Sequence, residues 1–290
     1  MLTECYILSL LVILQPTLGL NFSSNLLVAQ PEGSKNLTCR TEFTGPVTWT
    51  LGGQKVEESN YRELKGTTLT LHQLQDPDTG IYSCWGNGIW LNSIHLVLEQ
   101  EPEEEDEDIL LCTAKTYNCS FTCSWSLEGY ELARVRYNHS EEKPSSWVYA
   151  QHSDSSFQFQ MSHSSSPFAE ERTPFQLTAE ALGPRHYRRR TTVFYIRDII
   201  QPDAPQTVLC KHDKRETLTI TVCPPHTWAQ PHSYFPLSHQ IEYIHQDNGK
   251  VETSNSSVIP RAVSRLRVRS RDPYFLSSWS HWSPWKNVTE

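Results

Sequence analysis

The sequence has only two methionines in 290 residues, and no apolar run anywhere reaches the 18 residues a membrane-spanning helix needs. Nothing in it would hold the chain in a bilayer, so membrane insertion is not expected. His-Glu-X-X-His, Gly-X-Ser-X-Gly and a Gly-rich phosphate loop are all missing. The twelve histidines are scattered, and His226 and His232, six apart in a Pro-rich stretch, do not make a metal-ligand pattern. Enzymatic activity, a cofactor and a bound metal are therefore not expected. Positive charge is scarce as well: Lys+Arg is 25 against an Asp+Glu of 33, a net charge of −8, which offers no uniform field for nucleic acid phosphates. The hydrophobic fraction, 37%, is below a globular average, yet nine Trp, twelve Tyr and ten Phe supply large surfaces to bury, which excludes wholesale disorder.

Residues 6–14, Tyr-Ile-Leu-Ser-Leu-Leu-Val-Ile-Leu, have the length of a secretory h-region, with Thr17 and Gly19 at the −3 and −1 positions of a cleavage site. Residues 1–19 thus read as a signal peptide, although Glu4 and the lack of Lys or Arg make its n-region atypical, and the protein is expected to be secreted. Six Asn-X-Ser/Thr sequons agree with an extracellular address. Asn36, Asn118, Asn138 and Asn255 are the candidate N-glycosylation sites, while Asn21 and Asn287 lie close to the ends.

Two composition breaks divide the remainder. Residues 99–108 contain eight carboxylates in ten positions and should form an extended acidic linker. Ile199-Ile200-Gln201-Pro202-Asp203-Ala204-Pro205 carries two prolines that force an extended passage. The expected organisation is 20–98, the linker 99–108, 109–201 and 202–290. Short alternating runs fill these parts: 66–71, 131–137, 157–161, 191–196, 216–222 and 265–269, the period-two signal of half-buried strands. Asn248-Gly249 predicts a tight hairpin after Ile241-Glu242-Tyr243-Ile244. No amphipathic helix longer than 10 residues is apparent, so the fold class is all-β.

Three constellations carry specific information. Cys39, Trp49 ten residues on, and Asp76-Pro77-Asp78-Thr79-Gly80-Ile81-Tyr82-Ser83-Cys84 form an immunoglobulin signature: a disulfide between two sheets, a Trp packed on it, and a Tyr two residues before the second Cys that closes a corner. Cys112 and Cys123, followed by Trp125, read as a cross-strand bridge. Arg265, Arg267, Arg269 and Arg271 alternate, so that in a strand they leave one face, where Trp279 and Trp282 of Trp-Ser-His-Trp-Ser can stack between the guanidinium planes.

A Cys-X-Trp-type disulfide module followed by one ending in Trp-Ser-X-Trp-Ser resembles the cytokine-binding region of the class I cytokine receptors. The run 194–203, Thr227-Trp228 and Pro231-His232-Ser233-Tyr234-Phe235 strengthen that resemblance. It implies an immunoglobulin-like sandwich followed by two fibronectin type III sandwiches, in a secreted, receptor-like chain that grips a four-helix cytokine subunit and engages a cell-surface receptor chain. In that family the grip lies at the elbow between the last two modules. The matching positions here are Tyr117, Tyr234, Asp272, Tyr274 and Phe275, with Asp272 expected to present its carboxylate to a partner cation, most naturally Arg. A decoy receptor that sequesters a cytokine, or an adhesion protein, would share much of this sequence.

Without Cys5 the chain has seven cysteines. Pairing Cys39 with Cys84, Cys112 with Cys123 and Cys210 with Cys223 leaves Cys119 as the candidate interchain cysteine, although six cysteines allow 15 connectivities. Familiar members tether their partner through a cysteine farther along the second module, and residues 124–209 contain none. Cys119 could instead join a second copy of the chain in a homodimer, or be buried. Arg185-His186-Tyr187-Arg188-Arg189-Arg190 is a basic cluster that heparan sulfate or the acidic linker could meet. Trp279, Trp282 and Trp285, three apart, follow the pattern of C-mannosylation substrates, with Trp279 the expected site.

Overall fold

The computed structural model describes residues 20–100, 109–118, 120–139, 144–153, 156–168, 170–213 and 217–288. These residues are all-β, with helical turns only at Asp76–Asp78 and Ile196–Ile199. The chain divides into two compact units, one made of residues up to Leu98 with Leu182–Arg185, the other of Glu99–Ala181 and His186–Glu290.

In the first unit the strands are β1 Leu26–Ala29, β2 Lys35–Thr38, β3 Val47–Leu51, β4 Gln54–Lys55, β5 Arg62–Lys65, β6 Thr68–Leu71, β7 Gly80–Gly86 and β8 Ile89–Glu99. One sheet runs β2-β6-β5, and the opposing one β8-β7-β3-β4. Cys39 and Cys84 are joined by a disulfide, and Trp49, directly across from Cys84 in the ladder, is 2% exposed in the same core. The Tyr82 hydroxyl donates to the Asp78 carbonyl at 2.8 Å, closing the corner as the Asp-to-Cys spacing predicts. Burial and the nearby Asp78 charge push that phenol well above the usual tyrosine range, so it stays a neutral donor. Glu99, expected as the first residue of the linker, is instead the last residue of β8. Residues 101–108, like the expected signal peptide 1–19, lie outside the described residues.

The second unit holds β9 Leu110–Thr113, β10 Ser120–Trp125, β11 Leu132–His139, β12 Val148–Tyr149, β13 Gln151–Ser153, β14 Ser156–Ser162, β15 Phe175–Leu182 and β16 His186–Phe194. These form sheets in the orders β13-β14-β10-β9 and β12-β11-β15-β16. Cys112 and Cys123 stand directly opposite one another and are bonded, with Trp125 fully buried in the same core. The run 191–196 is extended only to Phe194, since Ile196 already opens the short helical turn.

Farther along the same unit are β17 Thr207–His212, β18 Thr217–Cys223, β19 Ser238–His245, β20 Val251–Ser254, β21 Val258–Pro260, β22 Val263–Arg271 and β23 Lys286–Asn287, in sheets β17-β18-β21 and β20-β19-β22-β23 around a second core. The hairpin at Asn248-Gly249 exists, with Ile244 opposite Val251, but its turn is longer than two residues: Gly249 N–H donates back to the His245 carbonyl.

Cys210 and Cys223 are not bonded to each other, contrary to expectation. In the β17–β18 ladder Cys210 faces Ile220, while Cys223 faces Thr207. A separation of three positions puts the two thiols on opposite faces of the sheet. Cys210 packs toward the core, and burial pushes its thiol pKa up.

The arginine–tryptophan ladder is complete and one rung longer than expected. Read along it, Arg271, Trp279, Arg269, Trp282, Arg267, Trp285 and Arg265 alternate, each guanidinium carbon 4.5–4.9 Å from the neighbouring ring centroid. Serines fix the register. Ser280 N–H donates to the Ser270 carbonyl and its Oγ accepts from Ser270 N–H, and Ser283 clips Val268 in the same two-point way. Three residues of the box thus advance beside two residues of β22. The ladder is a self-satisfied stability device, with each stacked pair contributing ~0.5–2 kcal/mol.

Candidate functional site: an aromatic cleft with a buried carboxylate

Between the two cores of the second unit the chain makes loops that share side chains. Trp228 and Phe235, from the β18–β19 connection, are buried in the core of β9–β16 rather than in that of the strands they join. Trp228 Nε1 donates to the Phe235 carbonyl at 2.9 Å, and Ala229 N–H donates to Thr116 Oγ1 at 2.9 Å. Asp203 receives Thr227 Oγ1 at 2.9 Å and lies 3.1 Å from Lys115 Nζ. The second proline-rich break is therefore a pinned junction: Gln201 N–H donates to the Ala114 carbonyl, and Gln201 Nε2 to that of Trp279.

At this junction opens a cleft of about 610 Å³, and all five expected partner-binding residues line it. Tyr274, Phe275 and Tyr234 are 70%, 58% and 53% exposed. Tyr117 is half-buried, its ring stacked on Phe235 at 5.5 Å and edge-on to Trp228 at 6.0 Å. Burial first, and then its bond to Asp272, push the Tyr117 phenol pKa up, so its hydroxyl stays a neutral donor.

Asp272 departs from expectation. It is 2% exposed and forms the floor of the cleft rather than projecting from it. Its Oδ2 accepts from Tyr117 Oη at 2.9 Å, and its Oδ1 from the backbone N–H groups of Tyr274 at 2.6 Å and Phe275 at 3.2 Å. The carboxylate thus shapes the turn that displays the two exposed rings. All three donors are neutral, and among the described residues Asp272 makes no ion pair. The cleft's cations are already matched: Arg197 Nη1 lies 3.3 Å from Glu171 Oε2, and Arg172 Nη2 3.2 Å from Glu170 Oε2. Asp272 is thus a buried carboxylate held by three neutral donors and met by no cation among the described residues, an arrangement that an incoming cation would complement.

Sequence reasoning missed three contributors. Phe168, 53% exposed, packs against Tyr234 and Phe235 with ring centroids 5.4 Å apart in both cases. Glu171 accepts from the backbone N–H groups of Ile196 and Arg197, and the Arg197 guanidinium lies 3.9 Å over the Tyr195 ring. Phe168 and Glu171 sit in no alternating run or recognisable motif, and Arg197, although it falls in the run 194–203, was not singled out there; the one signal for Phe168 was an isolated Phe in a serine-rich stretch.

Other expected sites fare unevenly. Asn36, Asn118 and Asn255 are exposed, whereas Asn138 is half-buried in β11, its amide oxygen buried and without a hydrogen-bond partner among the described residues. Cys119 lies outside the described residues. Trp279 is half-buried between two guanidinium groups. The basic run does not form one patch, because most of it lies in β16, where Arg188 is buried at 7% and Arg189 is exposed. A heparan sulfate site built from the whole run is therefore not supported. No helix among the described residues is long and apolar enough to cross a membrane.

The sandwiches, the Trp-Ser-X-Trp-Ser ladder and the aromatic cleft agree with the resemblance to class I cytokine receptors. Comparison with known proteins narrows this. Residues 107–183 match the family model of the cytokine interleukin-12p40 C-terminus. Interleukin-12 subunit beta of cat is 27% identical over 282 residues, and that of sheep 29% over 283; in both, 85% of this chain and 84% of the relative are covered. The human interleukin-12 subunit beta is 27% identical over 284 residues, with the same coverage. Over most of its length the chain is thus similar to interleukin-12 beta subunits, which supports a cytokine beta chain.

Proposed function

We propose that this chain is secreted and pairs, through the elbow cleft, with a four-helix alpha subunit of the interleukin-12 or interleukin-23 type. The resulting heterodimeric cytokine is read by a cell-surface receptor chain. In this reading the modules are residues 20–98, 109–201 and 202–290, with glycans at Asn36, Asn118, Asn138 and Asn255 and C-mannose on Trp279. The observation that carries the pairing is the cleft itself: three exposed aromatic rings, Tyr234, Tyr274 and Phe275, around a buried carboxylate that makes no ion pair among the described residues. Exposed Tyr and Phe rings supply contact area at small entropic cost, and a desolvated carboxylate selects a cation over a neutral side chain. An arginine on one helix of the alpha subunit satisfies both.

The test is Asp272→Asn, which removes the charge but keeps an oxygen able to accept the Tyr274 and Phe275 N–H groups. Co-expressed with an alpha subunit of the interleukin-12 type, this variant is expected to be secreted normally and to bind about 30-fold or more weakly, the scale of losing one side of a desolvated charge pair. Undiminished affinity would remove the proposed ion pair.

A further inference from the structure

Phe168 lies on the β14–β15 connection. Phe157, Phe159 and Met161 form the buried face of β14, buried His163 follows its end, and the chain then leaves the sheet through Ser164-Ser165-Ser166-Pro167. Phe168 is the only large apolar residue between 162 and 174, yet it is not folded into the core. A single exposed Phe needs no explanation by itself. This one, however, is oriented by two rings from a distant segment, meeting Tyr234 edge-on at 61° and Phe235 at 48°, and Phe235 in turn stacks on Tyr117. Phe168 is thus the outer end of a continuous row of rings that leads to the Tyr117–Asp272 bond on the cleft floor.

We infer that Phe168 is a further partner-binding anchor, contributed from the strand system opposite Tyr274 and Phe275, and that it makes the grip on the helical partner two-sided. This rests on the proposed pairing. The occupant it fits is a helix of the alpha subunit carrying a cation for Asp272 and an apolar side chain that packs on the Phe168–Tyr234 edge. Charge supports this occupant over a second copy of the chain: the floor carries a carboxylate that no cation meets among the described residues, and two copies meeting through this cleft would set the two carboxylates against each other. Residues 124–209 contain no cysteine, so whatever the β14–β15 connection contributes to the grip is non-covalent. A ring already held by two neighbours loses little further freedom on binding.

The experiment compares Phe168→Ser, Phe168→Trp and Tyr274→Ser in the full chain, co-expressed with an alpha subunit of the interleukin-12 type and measured by biolayer interferometry. Thermal unfolding of the isolated chain serves as the folding control. Phe168→Ser is expected to raise Kd by about 30-fold, mostly through faster dissociation, with Tm unchanged, and Phe168→Trp to restore near-wild-type binding. If Phe168→Ser binds like the wild type while Tyr274→Ser does not, the inference fails and the cleft reading stands. Should neither substitution matter, both fail. Equal losses for Phe168→Ser and Phe168→Trp would also overturn it, since an anchor is a matter of ring surface.

Discussion

Serine at both Tyr274 and Phe275 is expected to weaken the complex with the alpha subunit by about 1,000-fold while leaving the chain folded. Each ring is more than half exposed, so neither contributes much to the core, and surface changes of this kind usually alter stability by no more than about 0.5 kcal/mol. The turn that displays them does not depend on their side chains, because Asp272 Oδ1 holds it through backbone N–H groups. At an interface the same two rings would be central and aromatic, the profile of residues that each cost about 2 kcal/mol or more when truncated, and two such losses give roughly three orders of magnitude in Kd. Isothermal titration with the purified alpha subunit reads this directly. A change of less than about tenfold would mean that the rings stand outside the interface.

Removing the disulfide of the first unit by Cys39→Ala with Cys84→Ala should lower the stability of that unit by about 4 kcal/mol, the chain-entropy value for a loop of this length. Both sulfurs lie in the core beside Trp49, so the substitutions also leave a void that the surrounding Leu37, Leu69 and Leu71 cannot fill completely. Guanidinium denaturation followed by tryptophan fluorescence is the measurement. A loss below about 1 kcal/mol would show that the bond is dispensable to the sandwich.

Local chemistry was legible in the sequence and register was not. The Cys39–Trp49–Tyr82–Cys84 set could be read because each part is fixed by short spacing along two neighbouring strands, and the ladder because alternating arginines face one way in any strand. Cys210 and Cys223 looked like a hairpin pair, but which residues oppose one another depends on where the turn falls, and a shift of three positions turns one thiol to the other face. At the cleft, Tyr234, Tyr274 and Phe275 were carried by motifs. The burial of Asp272 was not, since its hydrogen-bond partner Tyr117 is 155 residues away and only the fold brings them together. Phe168 was hidden for the same reason: its place is set by rings that arrive in the chain more than sixty residues later.

The central claim is that a helical partner occupies this one cleft, and hydrogen–deuterium exchange of the chain with and without its alpha subunit tests it most directly. Protection on binding is expected in peptides covering 164–172, 231–236 and 272–278, with little change across β17, β18 and β21 on the far sheet. Protection confined to the first unit, with those three segments exchanging as in the free chain, would contradict it.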